Sequence, residues 1–226
     1  MKTDIIIIGS GQAGVPLATR LAAAGKRVVI VEREKAGGTC VNIGCTPTKT
    51  MIASARAAHV ARTGARLGVH ASEVDVDFAA VVARKDAIVA RWRGGVETRL
   101  AAGGEKLRFV RGHARFVAPG AIEVGSERHE ADKIVINVGA RSATPDVAGL
   151  DSVPWLDSGG LLDLKTLPKH LLVIGGGYIG CELGQMMRRL GAAVTLIAPS
   201  QRLLAREDAD VSDAVAEAFR AEGITL

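Results

Sequence analysis

The apolar run Ile5 to Ile8 stops at Gly9 and gives way to Gly9-Ser10-Gly11-Gln12-Ala13-Gly14. Apolar positions then recur with helical spacing at Val15, Leu17, Ala18, Leu21 and Ala22 before Gly25. A second run, Arg27 to Val31, ends in the acidic Glu32. This order predicts a strand over Lys2 to Ile8, a glycine turn, a helix and a second buried strand. The pattern then returns. Leu171 to Ile174 predicts a strand, Gly175-Gly176-Gly177-Tyr178-Ile179-Gly180 a second turn, Cys181 to Leu190 a helix and Ala193 to Ile197 a strand. Ala198 follows Gly175 at the same distance in sequence as Glu32 follows Gly9. Two such turns in matching context and equal register indicate an internal duplication.

Between the repeats, Thr48 to Leu67 and Phe78 to Leu100 predict helices. Shorter strands are expected at Leu107–Val110, Ala114–Val117, Ala121–Val124 and Lys133–Val138, with Pro119-Gly120 as a turn, giving a small antiparallel segment. The stretch from Ala143 to Pro168 is irregular and sets a boundary near Leu150. The predicted fold class is therefore α/β, with two Rossmann-like dinucleotide-binding domains, 1–150 and 151–226, the second incomplete.

Composition narrows the function. With 48% hydrophobic and 23% charged residues in a chain of 226, disorder and disulfide-dense scaffolds are excluded. No apolar run approaches the roughly 18 residues of a membrane span. The start lacks the pattern of a signal peptide, so a cytoplasmic address is expected. The net charge of +5 comes from arginines scattered along predicted helices, and no nucleic-acid partner is expected. The five histidines, at 59, 70, 113, 129 and 170, have no ligand spacing and read as surface or loop residues.

In a turn of this kind the first glycine permits the tight backbone, the second lets the main chain approach a pyrophosphate, and the third lets helix and strand pack. Gly9, Gly11 and Gly14 fill these positions in the first unit, and Gly175, Gly177 and Gly180 in the second. Glu32 stands where an acid accepts hydrogen bonds from ribose hydroxyls. Ala198 has no such carboxylate, which favours NADP over NAD in the second unit, with Arg202 as the phosphate partner.

Cys40 and Cys45, in GGTCVNIGCTPTK, are two of three cysteines. A structural disulfide would close too short a loop to add much stability. Zinc needs four ligands, and no second cysteine pair or nearby histidine completes a set. A redox-active pair fits better, with a thiolate whose pKa a helix N-terminus lowers. Cys181 reads as a packed small residue.

Taken together, the first turn with its acid, GGTCVNIGCTPTK and GGGYIGCELG resemble the class I pyridine nucleotide-disulfide oxidoreductases, which include glutathione reductase, dihydrolipoamide dehydrogenase and mercuric reductase. The resemblance covers essentially the whole chain, and the stretch after Ala198 is most similar to mercuric reductases. It implies a flavoprotein enzyme with FAD on the first unit and NADP, or NAD, on the second. It implies that Cys45 is the flavin-proximal thiol and Cys40 the interchange thiol, that Lys49 sits by the flavin and pairs with Glu182, and that Tyr178 shields the nicotinamide pocket. Gly38 and Thr39 would line the flavin, and Asn137-Val138-Gly139 stands where the family usually shows Ala-Thr-Gly.

The resemblance further implies a homodimer, a disulfide or metal-ion substrate, and an acid-base histidine beyond Leu226, in an interface domain this chain does not contain. No resident metal is expected. A dihydrolipoamide dehydrogenase using NAD and a non-catalytic, truncated flavin-binding fragment are the alternatives.

Overall fold

The run that opens the chain forms strand β1 (Lys2–Ile8), and the pattern after its glycine turn forms helix α1 (Gly14–Ala23) and strand β2 (Val28–Glu32). The short helix α2 (Gly38–Asn42) and the long helices α3 (Cys45–Thr63) and α4 (Phe78–Ala101) follow. Next come β3 (Leu107–Arg111), β4 (Ala114–Ala118), β5 (Ala121–Val124) and β6 (Glu127–Ile136). The computed structural model describes residues 2–226. The chain divides into two units, one of residues up to 47 with 87–153, the other of 48–86 with 154–226.

The first unit is built on a six-stranded sheet in the order β3-β2-β1-β6-β5-β4. β1 pairs in parallel with β2 and β6, and β2 with β3, whereas β4, β5 and β6 are joined antiparallel. Because side chains alternate along a strand, Ile7, Val28 and Ile30 pack on one face with Val15 and Ala18 of α1 and Val96 and Leu100 of α4. Ile6, Val29 and Val31 pack on the other with Ile122, Val124 and Ala131. Burial on both faces explains why β2 reads as an unbroken apolar run.

Three expectations need correction. β3 is a parallel strand, so the antiparallel segment consists of β4 to β6 alone. β6 begins at Glu127 and ends at Ile136, whereas the sequence reading started it at Lys133. Its first half is charged at alternate positions, and the two residues between those charges, His129 and Ala131, are buried. His129, 1% exposed, is therefore a core residue of a strand and not a surface or loop histidine.

In the second unit, strands β7 (His170–Ile174) and β8 (Ala193–Ile197) pair in parallel, flanking helix α6 (Tyr178–Leu190), after the short helix α5 (Ser158–Leu162). Helix α7 (Ala209–Ala221) and a bridge from Thr225 to Thr195 complete it. Its core joins Met51 and Ala55 of α3 and Phe78 and Val82 of α4 to Met186, Met187 and Leu190 of α6, Leu196 and Phe219. The opposite face of β7 and β8 presents Leu172, Ile174 and Ile197 to solvent. Among the described residues no helix is long and apolar enough to cross a membrane.

Candidate functional site

The two glycine turns share one geometry. Gly9 and Gly175 have φ of +106° and +123°, a backbone region that L side chains rarely adopt. A Cβ on Gly14 would fall 2.1 Å from the Gly9 carbonyl oxygen, and one on Gly180 would fall 2.1 Å from that of Gly175. The first and third glycines are thus required by the protein itself. The second is different. A Cβ on Gly177 would meet nothing within 4 Å, and one on Gly11 only the Asn137 amide at 3.7 Å. The protein leaves space above Gly11 and Gly177, which is the cradle that a dinucleotide pyrophosphate requires and that a side chain would fill. The residues present fit such a group.

Glu32 closes the first turn from below. Its Oε2 accepts from the Ser10 N–H at 3.0 Å and the Ser10 hydroxyl at 2.7 Å, and its Oε1 from the Glu34 N–H at 3.0 Å. Partial burial pushes the Glu32 pKa up, but the donors from Glu34, Ser10 and Arg33 together outweigh it and hold the carboxyl below its ordinary value. Ser10, fully buried, also accepts the Gly37 N–H at its carbonyl, 3.1 Å away, and at its hydroxyl, 3.3 Å away. A Cβ on Gly38 would lie 2.8 Å from the Gly11 Cα. The cysteine-bearing segment is therefore docked backbone to backbone on the first glycine turn.

Cys40 lies in α2, Cys45 opens α3, and Ile43-Gly44 breaks the helix between them. Both are free thiols, Cys40 partly buried and Cys45 exposed. Burial raises the Cys40 pKa first, and the hydrogen bond and charge of the Cys45 sulfur add to it, while the N–H groups of Cys45 and Thr46 at the start of α3 lower it. The net shift is upward. The expected lowering by a helix N-terminus is present at Cys40 but is overcome, by burial first and by the neighbouring Cys45 sulfur second.

Three residues that hold this segment escaped the sequence reading. Asn42, between the cysteines, donates to the carbonyls of Ala36 at 3.0 Å and Gly38 at 2.9 Å, and accepts from the Arg93 Nε at 2.7 Å. Asn42 and Ser10 lie inside the recognised motifs, where a polar residue amid glycines was a usable signal. Arg93, in α4, carried none.

In the second unit Lys49 of α3 and Glu182 of α6 form an ion pair. Tyr178 begins α6 and is 72% exposed. Arg202 lies beside an open pocket of about 230 Å³ lined also by Ala198, Ser200, Gln201, Arg220 and Asp213. The Cys181 thiol is buried against the Gly176 carbonyl at 3.6 Å, and burial raises its pKa. Thr39 is exposed in α2, and Gly139, also exposed, follows the end of β6 with φ +72°.

A sequence profile of the pyridine nucleotide-disulphide oxidoreductases matches residues 3–226. The chain belongs to that family. Within the family it is 40% identical over 223 residues to a mercuric reductase of Bacillus cereus, covering 99% of this chain and 35% of the relative. It is 36% identical over 227 residues to a dihydrolipoyl dehydrogenase of Thermus scotoductus, covering 100% and 49%. A solved structure described as the Cu(II) complex of the HOCl-induced flavoprotein disulfide reductase RclA from Escherichia coli superposes with a TM-score of 0.87 at 35% identity, covering 100% of this chain and 48% of that one. The chain spans about half or less of the length of the curated relatives it matches.

Proposed function

We propose that the chain carries the cofactor-binding and dithiol part of a cytoplasmic, homodimeric FAD-dependent NAD(P)H:disulfide oxidoreductase of the mercuric reductase type. The observation that carries this reading is the docking of the Cys40–Cys45 segment on the first glycine turn through the Ser10 to Gly37 hydrogen bonds. Residues 1–150 hold FAD, with Gly9, Gly11 and Gly14 at the pyrophosphate, Glu32 at the ribose, and Gly38, Thr39 and Gly139 along the flavin. Residues 151–226 hold the nicotinamide nucleotide on Gly175, Gly177 and Gly180. NADP is favoured by the absence of a carboxylate at Ala198 and by the open side of Arg202.

FAD held there would supply the two-electron link between a reduced nicotinamide and sulfur. Cys45 is the flavin-side thiol and Cys40 the thiol that meets the substrate. Deprotonated Cys40 attacks one sulfur of a substrate disulfide and releases the other as a thiolate; Cys45 then attacks Cys40, frees the second thiol and leaves the Cys40–Cys45 disulfide, two electrons poorer. The Cys45 and Thr46 N–H groups stabilise Cys40 as an anion during that step. A thiophilic metal ion is the other acceptor: the pair binds it through both sulfurs, gives up two electrons and closes to the disulfide. The name of one relative, mercuric reductase, supports that class of substrate. Lys49 and Glu182 hold the flavin side of the site, and Tyr178 covers the nicotinamide pocket until the nucleotide enters.

The test is the visible spectrum of the purified chain with FAD, followed through an anaerobic titration with NADPH. Growth of a long-wavelength band, lost in Cys45→Ser while FAD stays bound, supports the reading. A chain that takes up FAD but shows no band supports a flavin-binding module without turnover, a second reading favoured by the open face of Leu172, Ile174 and Ile197. A strong kinetic preference for NADH supports a dihydrolipoamide dehydrogenase.

A further inference from the structure

The peptide unit between Gly9 and Ser10 is held on both sides. Its N–H, on Ser10, donates to Glu32 Oε2 at 3.0 Å, and its carbonyl, on Gly9, accepts from Asn137 Nδ2 at 3.3 Å. In a trans peptide these two groups point in opposite directions, so Glu32 and Asn137 grip one plane from opposite edges. Asn137 is bound into the turn by its main chain as well. Its N–H donates to the Ile8 carbonyl at 2.8 Å, and its carbonyl oxygen lies 2.0 Å from where a Gly9 Cβ would be. The same Nδ2 lies 2.7 Å from a would-be Cβ on Gly14 and 3.7 Å from one on Gly11. One side chain just past the end of β6 thus binds the first glycine and occupies the space that side chains on the third and second would enter.

Among the described residues the second turn has no equivalent. Gly175 and Gly177 have no neighbour in the direction a Cβ would take, and closure there comes from Gly176 against Ala198 and Leu203, with the Leu204 N–H on the Gly176 carbonyl at 2.8 Å. An apolar lid does in one unit what a carboxamide does in the other.

We propose that Asn137 is a positioning residue for dinucleotide binding: its carboxamide, opposing Glu32 across the Gly9–Ser10 peptide, fixes the first glycine turn in the shape that receives a pyrophosphate. With a glycine at position 9 the backbone limits that peptide less than it would at any other residue, so once the Asn137 edge is released the plane can tilt about its remaining bond to Glu32 and carry the carbonyl oxygen toward the phosphate charge. The inference rests on the reading that the first turn binds FAD.

The test is the FAD dissociation constant of the full chain, measured by quenching of flavin fluorescence, for wild type, Asn137→Ala, Asn137→Ser and Asn137→Asp, with a thermal melt of each without FAD. Loss of one hydrogen bond predicts FAD binding about tenfold weaker in Asn137→Ala, with near-native binding in Asn137→Ser, whose hydroxyl keeps a donor. Asn137→Asp keeps the shape but carries a charge and no donor at neutral pH. Its FAD affinity is expected to stay low down to about pH 5 and to recover only as pH falls toward the ordinary aspartate range near about 4 and the carboxyl gains its proton, while wild type changes less. A purely structural role would not produce that pH profile.

Wild-type affinity in both Asn137→Ala and Asn137→Asp overturns the inference and leaves the FAD reading standing. If wild type itself takes up no FAD, that reading fails and the inference falls with it. Should Asn137→Ala fail to fold, the aspartate variant decides by the same criterion: wild-type affinity at neutral pH overturns the inference.

Discussion

Lys49 and Glu182, 133 positions apart, close an ion pair in which each is the fifth residue of its helix, α3 and α6. The side chains are 59% and 42% exposed, and an ion pair so open to water contributes no more than about 1 kcal/mol to stability. Stability is therefore a weak reason for the pairing. Lys49→Met and Glu182→Gln are expected to change unfolding free energy by less than about 1 kcal/mol yet slow anaerobic reduction of the FAD-loaded chain by NADPH at least about tenfold. Urea titration and stopped-flow absorbance measure the two. A large stability loss with unchanged reduction would make the pair a structural tie.

The glycine turns give a sharper contrast. Gly14→Ala and Gly180→Ala drive a methyl against a carbonyl oxygen 2.1 Å away, with no flexible neighbour to give. Each is expected to cost about 1–3 kcal/mol or more. Gly11→Ala and Gly177→Ala meet no such obstacle and are expected to melt within a few degrees of wild type, while weakening FAD and nicotinamide nucleotide binding respectively. Paired melts and binding titrations separate the glycines the fold requires from those a ligand requires. Equal FAD affinity in Gly11→Ala would count against a pyrophosphate at that turn.

What could be read from the sequence follows from where the physics is local. The strand-turn-helix-strand units were legible because their strands are apolar runs, which burial on both faces explains for β2, and because the turns constrain glycine at fixed spacing in both units. The parallel pairing of β3 and the early start of β6 were not, since β3 joins β2 across some 75 residues and the charges of Glu127 to Asp132 mask the buried His129 and Ala131. In the site, the glycines and both cysteines were picked out by residue type and spacing, whereas the pairing of Lys49 with Glu182 was legible only through the family resemblance. The clamps do not. Arg93 on Asn42 and Asn137 on Gly9 act across 51 and 128 positions, and nothing local distinguishes that arginine from the exposed ones around it.

Glu32 links the first turn to acid. Its pKa is held below the ordinary 4.5, so the folded state resists its protonation more than the unfolded chain does. The resulting stability is complete above the unfolded value and is lost as pH falls through the folded one. Glu32→Gln keeps the shape but weakens the bonds from Ser10 and Glu34, and is expected to cost about 1 kcal/mol at pH 7. The difference from wild type should shrink below about pH 4.5. Denaturant unfolding at pH 7 and at pH 3.5 to 4 checks this; a constant difference across that range would mean the carboxylate charge is not what Ser10 requires.

His129 titrates in the opposite chemical sense with the same outcome. The ring is buried beside Ile122 in the β5–β6 ladder, and neither nitrogen has a hydrogen-bond partner among the described residues. The Glu127 carboxylate lies 3.3 Å from Nε2 but is taken by Arg108, whose NH2 reaches its two oxygens at 2.7 and 3.0 Å. Burial first, and the Arg108 cation second, lower the His129 pKa below 6.5, and Glu127 offsets this only in part. The unfolded chain therefore takes up a proton before the folded one, so stability is full above about pH 6.5 and declines as pH falls from there toward the folded value. His129→Leu, similar in volume and with no polar atoms to leave unpaired, is expected to flatten that decline and raise stability at pH 5.5 by about 1 kcal/mol. Urea unfolding of both proteins at pH 5.5 and 7.5 measures the slope. Parallel pH dependence in the two would show that His129 stays neutral through this range or reaches solvent when protonated.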